Sequence, residues 1–131
     1  MINQMNNRLL IILFTSDFYK YYYALNLATT YQACNKNVTV FFTGYACNFL
    51  KKQWKKYDSK KNYIKIIKKN MPNYLEILKI CRELNVNFYY CTTAINFLDI
   101  KKSQIIDGIS IEPSPLYHMV NKHKKNNTLF I

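Results

Sequence analysis

Hydrophobic positions along the chain follow two rhythms. RLLIILFT (8–15) and VTVFFT (38–43) are short, continuous apolar runs rich in β-branched and aromatic residues, a pattern that suits strands covered on both faces. VNFYYC (86–91) predicts a third strand, IIDGISI (105–111) a fourth, and TLFI (128–131) a last one. Between them the spacing becomes helical. FYKYYYALNLATTYQAC (18–34) places Ala24, Leu25, Ala28 and Tyr31 near one face, with Asp17 as N-cap and Asn35-Lys36-Asn37 as the break. NYLEILKICREL (73–84) sets Leu75, Leu78, Cys81 and Leu84 at helical spacing, with Pro72 in the first turn and Asn85 as the stop. TTAINFLDI (92–100) reads as a short helical turn, and Pro113-Ser114-Pro115 opens a last helix over about 115–123. Strands alternating with helices predict an α/β fold with a mostly parallel, five-stranded sheet.

In such sheets ligands gather beyond the carboxyl ends of the strands. Three segments converge there: Thr15-Ser16-Asp17, Gly44 to Cys47, and Cys91 to Thr93. Cys91 stands on the last step of its strand, where a thiol is placed to act as a nucleophile, whereas a thiol in mid-strand is only a small hydrophobe. If 92–97 opens a helix, its first N–H groups favour an anion on Cys91. Thr92 and Thr93, with Thr15 and Ser16 from the neighbouring loop, would line the same pocket. Cys47 lies just past the second strand on the same side of the sheet, as an auxiliary or resolving thiol or simply as a packed one. Cys34 and Cys81 read as core residues. The four cysteines form no CxxC pair, and with two histidines, His118 and His123, no zinc-ligand spacing exists. His123, among lysines, reads as solvated, and His118 as a residue of a subunit contact. No metal or cofactor is expected, and no paired carboxylates, Ser-His-Asp order or P-loop points to hydrolysis or nucleotide chemistry.

Composition changes this picture little. The chain has 131 residues, which suits one domain. Its longest apolar run, Leu9 to Phe14, falls far short of the roughly 20 residues of a membrane span. The expected setting is the cytoplasm, without membrane insertion. The net charge of +12 changes the picture more. It is concentrated in residues 51–69, which hold nine lysines against one acid, Asp58. Arg, the better reader of phosphates and bases, occurs only at Arg8 and Arg82, which argues against nucleic acid. The segment reads as an exposed, mobile connection with some helix, or more sharply as a docking surface for an acidic partner. The run Tyr19, Tyr21, Tyr22, Tyr23 cannot all face the core, and part of it suits an oligomer interface.

Taken in order, LFTSDF, VTVFFTGYACNFL, PNYLEILKICRELNVNFYYC, IIDGISI and the final TLFI resemble the DsrE/DsrF family of sulfur-relay proteins over most of the chain. Asp17 stands where the family's first turn carries glycine, and the 51–69 segment is longer and more basic than a minimal member needs. The resemblance implies a three-layer α/β/α, Rossmann-like fold and homo-oligomers, either trimers or hexamers. It implies a persulfide-carrying cysteine at the position of Cys91, a sulfurtransferase or sulfur-carrier activity, and exchange with small carriers of the TusA type. Two other readings stand beside it: a non-catalytic binding or scaffold member of the same fold, and a thiol redox protein using Cys47 with Cys91.

Overall fold

The computed structural model describes residues 7–131. Five strands form one sheet: β1 (Arg8–Leu13), β2 (Asn37–Phe42), β3 (Asn87–Cys91), β4 (Glu112–Ser114) and β5 (Asn127–Phe130). All neighbours pair in parallel, in the order β4-β3-β2-β1-β5. The helices are α1 (Phe18–Ala33), α2 (Asn62–Lys68), α3 (Tyr74–Glu83), α4 (Thr92–Phe97) and α5 (Leu116–Lys122), and 3-10 helices span Gly44–Leu50, Trp54–Tyr57 and Lys102–Gln104. From β1 to β4 the sheet grows in one direction, so right-handed crossovers put α1 and α3 on the same face, where they contact each other. The reversal from β4 to β5 sends α5 to the opposite face and gives three layers. Among the described residues, no helix is long and apolar enough to cross a membrane.

The central strands are buried because both faces are covered. Val38, Val40, Phe41 and Phe42 of β2 are fully enclosed, as are Ile11 and Leu13 of β1. Asp17 caps α1 through its Oδ2, which accepts from the Lys20 N–H at 2.9 Å. Asn35 and Asn85 follow α1 and α3 with φ of 68° and 69°, a left-handed step that asparagine tolerates. The tyrosine run divides as its spacing requires: Tyr21 and Tyr22 are buried, while Tyr19 and Tyr23 are about half exposed.

Several expectations are corrected. IIDGISI is not a strand. Ile105 bridges Lys51, the Ile106 N–H donates to the Leu50 carbonyl at 2.8 Å, and Gly108 turns the chain at φ 80°. These bonds tie 105–106 to the start of the lysine segment, and the edge strand forms instead at Glu112–Ser114, against Tyr89–Cys91. The lysine segment is not a loose connection. Trp54 stacks on Phe18 with ring centroids 5.3 Å apart and meets Tyr63 and Tyr74 edge-on, and Ile66 is buried too. In α3 the inward face is Tyr74, Ile77, Leu78 and Cys81, leaving Leu75 and Leu84 exposed. Its start is set by Asn73, whose side chain forms a reciprocal capping box with Glu76, rather than by Pro72. Cys34, expected in the core, is exposed at the C-cap of α1. His123 is half-buried rather than solvated. Its Nδ1 pairs with the Asn126 side-chain amide at 2.7 Å, and burial, then Lys122, Arg8 and His118, push its pKa down.

Candidate functional site

The carboxyl ends of β1, β2 and β3 meet in one hollow. Phe14 follows β1, Thr43, Gly44 and Tyr45 follow β2, and Cys91 ends β3. Thr93, Ala94 and Phe97 of α4 and Leu116 of α5 complete a pocket of about 350 Å³. Parallel pairing brings these ends level, since Leu13 pairs with Phe42 and Phe42 with Tyr90. The turn after β2 depends on Gly44, which sits at φ 53° against the Phe14 ring.

Cys91 is 2 % exposed and occupies the N-cap position of α4, so the chain passes directly from the thiol into a helix. The first N–H groups of that helix have no partner within it. In the sheet Cys91 pairs with Ser114, which is also buried, and Ser114 Oγ donates to the Pro115 carbonyl at 3.1 Å. Among the described residues, no charged side chain lines the pocket. Its rim is apolar and outward-facing: Phe97 is 72 % exposed, and Phe14, Tyr45 and Leu116 each stand at least two-fifths exposed. Phe14 also packs against Phe130 of β5 at 5.7 Å.

Cys47 lies next to Cys91 but deeper. It is fully buried, and its Sγ donates to the Phe42 carbonyl at 3.4 Å. Burial, reinforced by Cys91 and partly offset by a hydrogen bond from the Cys91 backbone, pushes the Cys47 thiol up to about 12. Cys81 is buried against α1 and is likewise pushed up to about 12.

Of the residues singled out in the sequence, Cys91 and Thr93 line the pocket. Thr92 is exposed on α4 outside the pocket wall. Thr15 and Ser16 lie at the end of β1, also outside it, and Thr15 Oγ1 accepts from the Asp17 N–H at 3.1 Å in support of the α1 start. His118 is exposed, and neither histidine reaches the pocket. Phe14, Tyr45, Phe97 and Leu116 were not anticipated. Phe14 closes a run that reads as strand, and Leu116 reaches the site only through the fold. Phe97 did carry a signal, since it falls one helical turn after Ala94. Among the described residues, no cluster of His, Cys, Asp and Glu could hold a metal ion.

A DsrE/DsrF-like family model matches residues 9–130. The chain belongs to that family. No curated protein matches it significantly in sequence. Among solved structures it resembles a conserved protein of unknown function, BT1422 from Bacteroides thetaiotaomicron. There the TM-score is 0.67 and the identity 12%, over 95% of each chain. It also resembles the ychN protein from E. coli, with a TM-score of 0.66 and 17% identity over 95% of this chain and 98% of the other. A third is MTH1491 from Methanobacterium thermoautotrophicum, of unknown function, with a TM-score of 0.62 and 12% identity over 95% and 98%. At these identities the likeness concerns the fold. It agrees with the α/β architecture and parallel five-stranded sheet of this DsrE-like chain.

Proposed function

We propose that the protein is a sulfur carrier that holds sulfane sulfur as a persulfide on Cys91. The observation that carries the reading is the placement of Cys91: last residue of β3, N-cap of α4, at the wall of a pocket open to an apolar rim. In the transfer step the Cys91 thiolate attacks the outer sulfur of a donor persulfide, R–S–SH. A bond forms between Cys91 Sγ and that sulfur, the donor's S–S bond breaks, and the donor leaves as the thiolate R–S⁻. Cys91 then carries –S–SH. The first N–H groups of α4, which have no partner within the helix, are available as hydrogen-bond donors beside Cys91. The apolar rim limits water at the sulfur, and Thr93 offers a hydroxyl at the pocket wall. The proposed setting is a cytoplasmic homo-oligomer, trimer or hexamer, exchanging sulfur with a small carrier of the TusA type.

The adjacency of Cys47 supports a second reading, a thiol redox pair with Cys91. Against it stands the chemistry of Cys47, since a thiol pushed up to about 12 has almost no thiolate at neutral pH.

Intact-protein mass spectrometry after incubation with a small-molecule persulfide tests the main reading. A reducible gain of about 32 Da, absent from Cys91→Ser and retained in Cys47→Ser, is expected. Wild type without the adduct, or an adduct that persists in Cys91→Ser, refutes it. A loss of about 2 Da on mild oxidation, abolished by either substitution, would favour the redox pair instead.

A further inference from the structure

The nine lysines of residues 51–69 are presented on an ordered scaffold that the sulfur chemistry does not use. Trp54 and Ile66 anchor it to the core. The one acid of the segment, Asp58, is turned inward: it is 3% exposed, and its Oδ2 accepts from the Tyr63 N–H at 2.8 Å. The outer face is therefore left with cations. Lys52 reaches Asp107 at 3.3 Å, an exposed pair, and Lys55 lies over the rings of Trp54 and Tyr63.

Two hollows open on this face. Asn62, Lys65, Ile66 and Lys69 recur at helical spacing and, with Tyr19 and Met71, enclose about 270 Å³. Tyr63 and Ile67 lie on the adjacent side of α2 and, with Lys52, Lys55, Trp54 and Leu75, bound about 340 Å³. Apolar side chains stand exposed among the lysines: Ile67 at 56%, Leu75 at 47% and Met71 at 40%.

We infer that this face docks an acidic protein segment that also carries apolar side chains, its carboxylates meeting the lysines and its apolar groups entering the two hollows. Charge complementarity defines the partner's sign, and the exposed Ile67, Met71 and Leu75 define its second requirement. Nucleic acid fits less well. Single strands stack on free aromatic faces, whereas one face of Trp54 is taken by Phe18 and its ring makes T-shaped contacts with Tyr63 and Tyr74. A bilayer has no side chains to fill concave hollows. The inference is independent of the reading of Cys91.

The test is fluorescence anisotropy with a short fluorescein-labelled peptide of Glu-Glu-Leu-Phe repeats, beside an all-Glu peptide of equal length. The mixed peptide should bind more tightly and weaken as salt rises. Combined Lys55→Glu, Lys65→Glu and Lys69→Glu should weaken it at least about tenfold, and Lys101→Glu, Lys124→Glu and Lys125→Glu less than about threefold. Ile67→Ser with Leu75→Ser, both exposed, should weaken the mixed peptide and leave the all-Glu peptide unchanged. Equal loss in the two charge variants would reduce the effect to net charge and overturn the inference. So would indifference to the apolar substitutions, or tighter binding of an oligonucleotide or of phosphatidylserine vesicles.

Discussion

Gly44 joins backbone conformation to the wall of the Cys91 pocket, so Gly44→Ala has a calculable cost. At φ 53° an alanine occupies the left-handed region, at about 1–2 kcal/mol. Its Cβ would overlap Cδ2 and Cε2 of Phe14 and come within 3.0 Å of Cζ. The ring must move, and overpacking of this kind costs about 1–3 kcal/mol. Phe14 is 40% exposed and can swing outward, which places this part near the lower limit. The total is about 2–3 kcal/mol. For a chain of this size that lowers Tm by about 6–15 °C. Urea unfolding of wild type, Gly44→Ala, Phe14→Ala and the double variant separates the two contributions. Phe14→Ala removes the ring that collides, so the double variant should be about 1 kcal/mol more stable than the sum of the single effects predicts. A Gly44→Ala loss below about 0.5 kcal/mol, or strict additivity, would refute the argument.

Two further outcomes follow from buried hydroxyls and thiols. The Tyr74 hydroxyl donates to the Phe49 carbonyl at 2.6 Å, which leaves the Tyr21 hydroxyl to donate to Tyr74, also at 2.6 Å. Tyr74→Phe orphans both neighbours and should cost about 2–4 kcal/mol, against about 1 kcal/mol for Tyr21→Phe, and equal losses in denaturant titrations would contradict this order. Burial raises the pKa of Cys47, Cys81, Tyr21 and Tyr74 in the folded chain, so the protonated forms favour folding. That stability is fully present below the ordinary thiol value of 9.0 and is lost progressively as pH rises towards about 12, with the tyrosines adding to the fall above 10.0. Tm measured from pH 7 to pH 11 should therefore drop on the alkaline side, and less steeply in Cys81→Ala measured relative to its own neutral-pH value.

The sequence carried the elements whose signal is local. The buried runs of β1, β2 and β3 need only their own side chains to be recognised, and Asp17, Asn35 and Asn85 mark helix ends by backbone chemistry. The strand-end position of Cys91 was legible because a polar break follows an apolar run. What was not legible depended on distant partners. Ile105 and Ile106 have strand-like composition, but Leu50 and Lys51 take their backbone groups, and no local pattern announces that competition. Trp54 and Ile66 sit in a sequence dominated by charge, yet Phe18, Tyr63 and Tyr74 give Trp54 a place in the core. In α3, apolar residues occupy more of the circumference than the core can accept, so spacing alone pointed to Leu75 where the core takes Ile77. The rim of the pocket comes from four separate segments and exists only once they are assembled.

The place of β5 at the outer edge of β1 also sets an order of events in time. Leu9–Ile12 can pair with β2 soon after synthesis, but their other edge is completed only by Asn127–Phe130. The Ile131 carbonyl then accepts from the N–H groups of Phe14 and Thr15 and fixes the pocket wall. Until those residues leave the ribosome, an apolar strand edge stays open, and such edges pair readily with other chains. Long-range closure of this kind is also slow. The nascent chain thus passes through a stage in which the sheet is four strands wide and sticky along one side, and chaperone dependence should be greatest there.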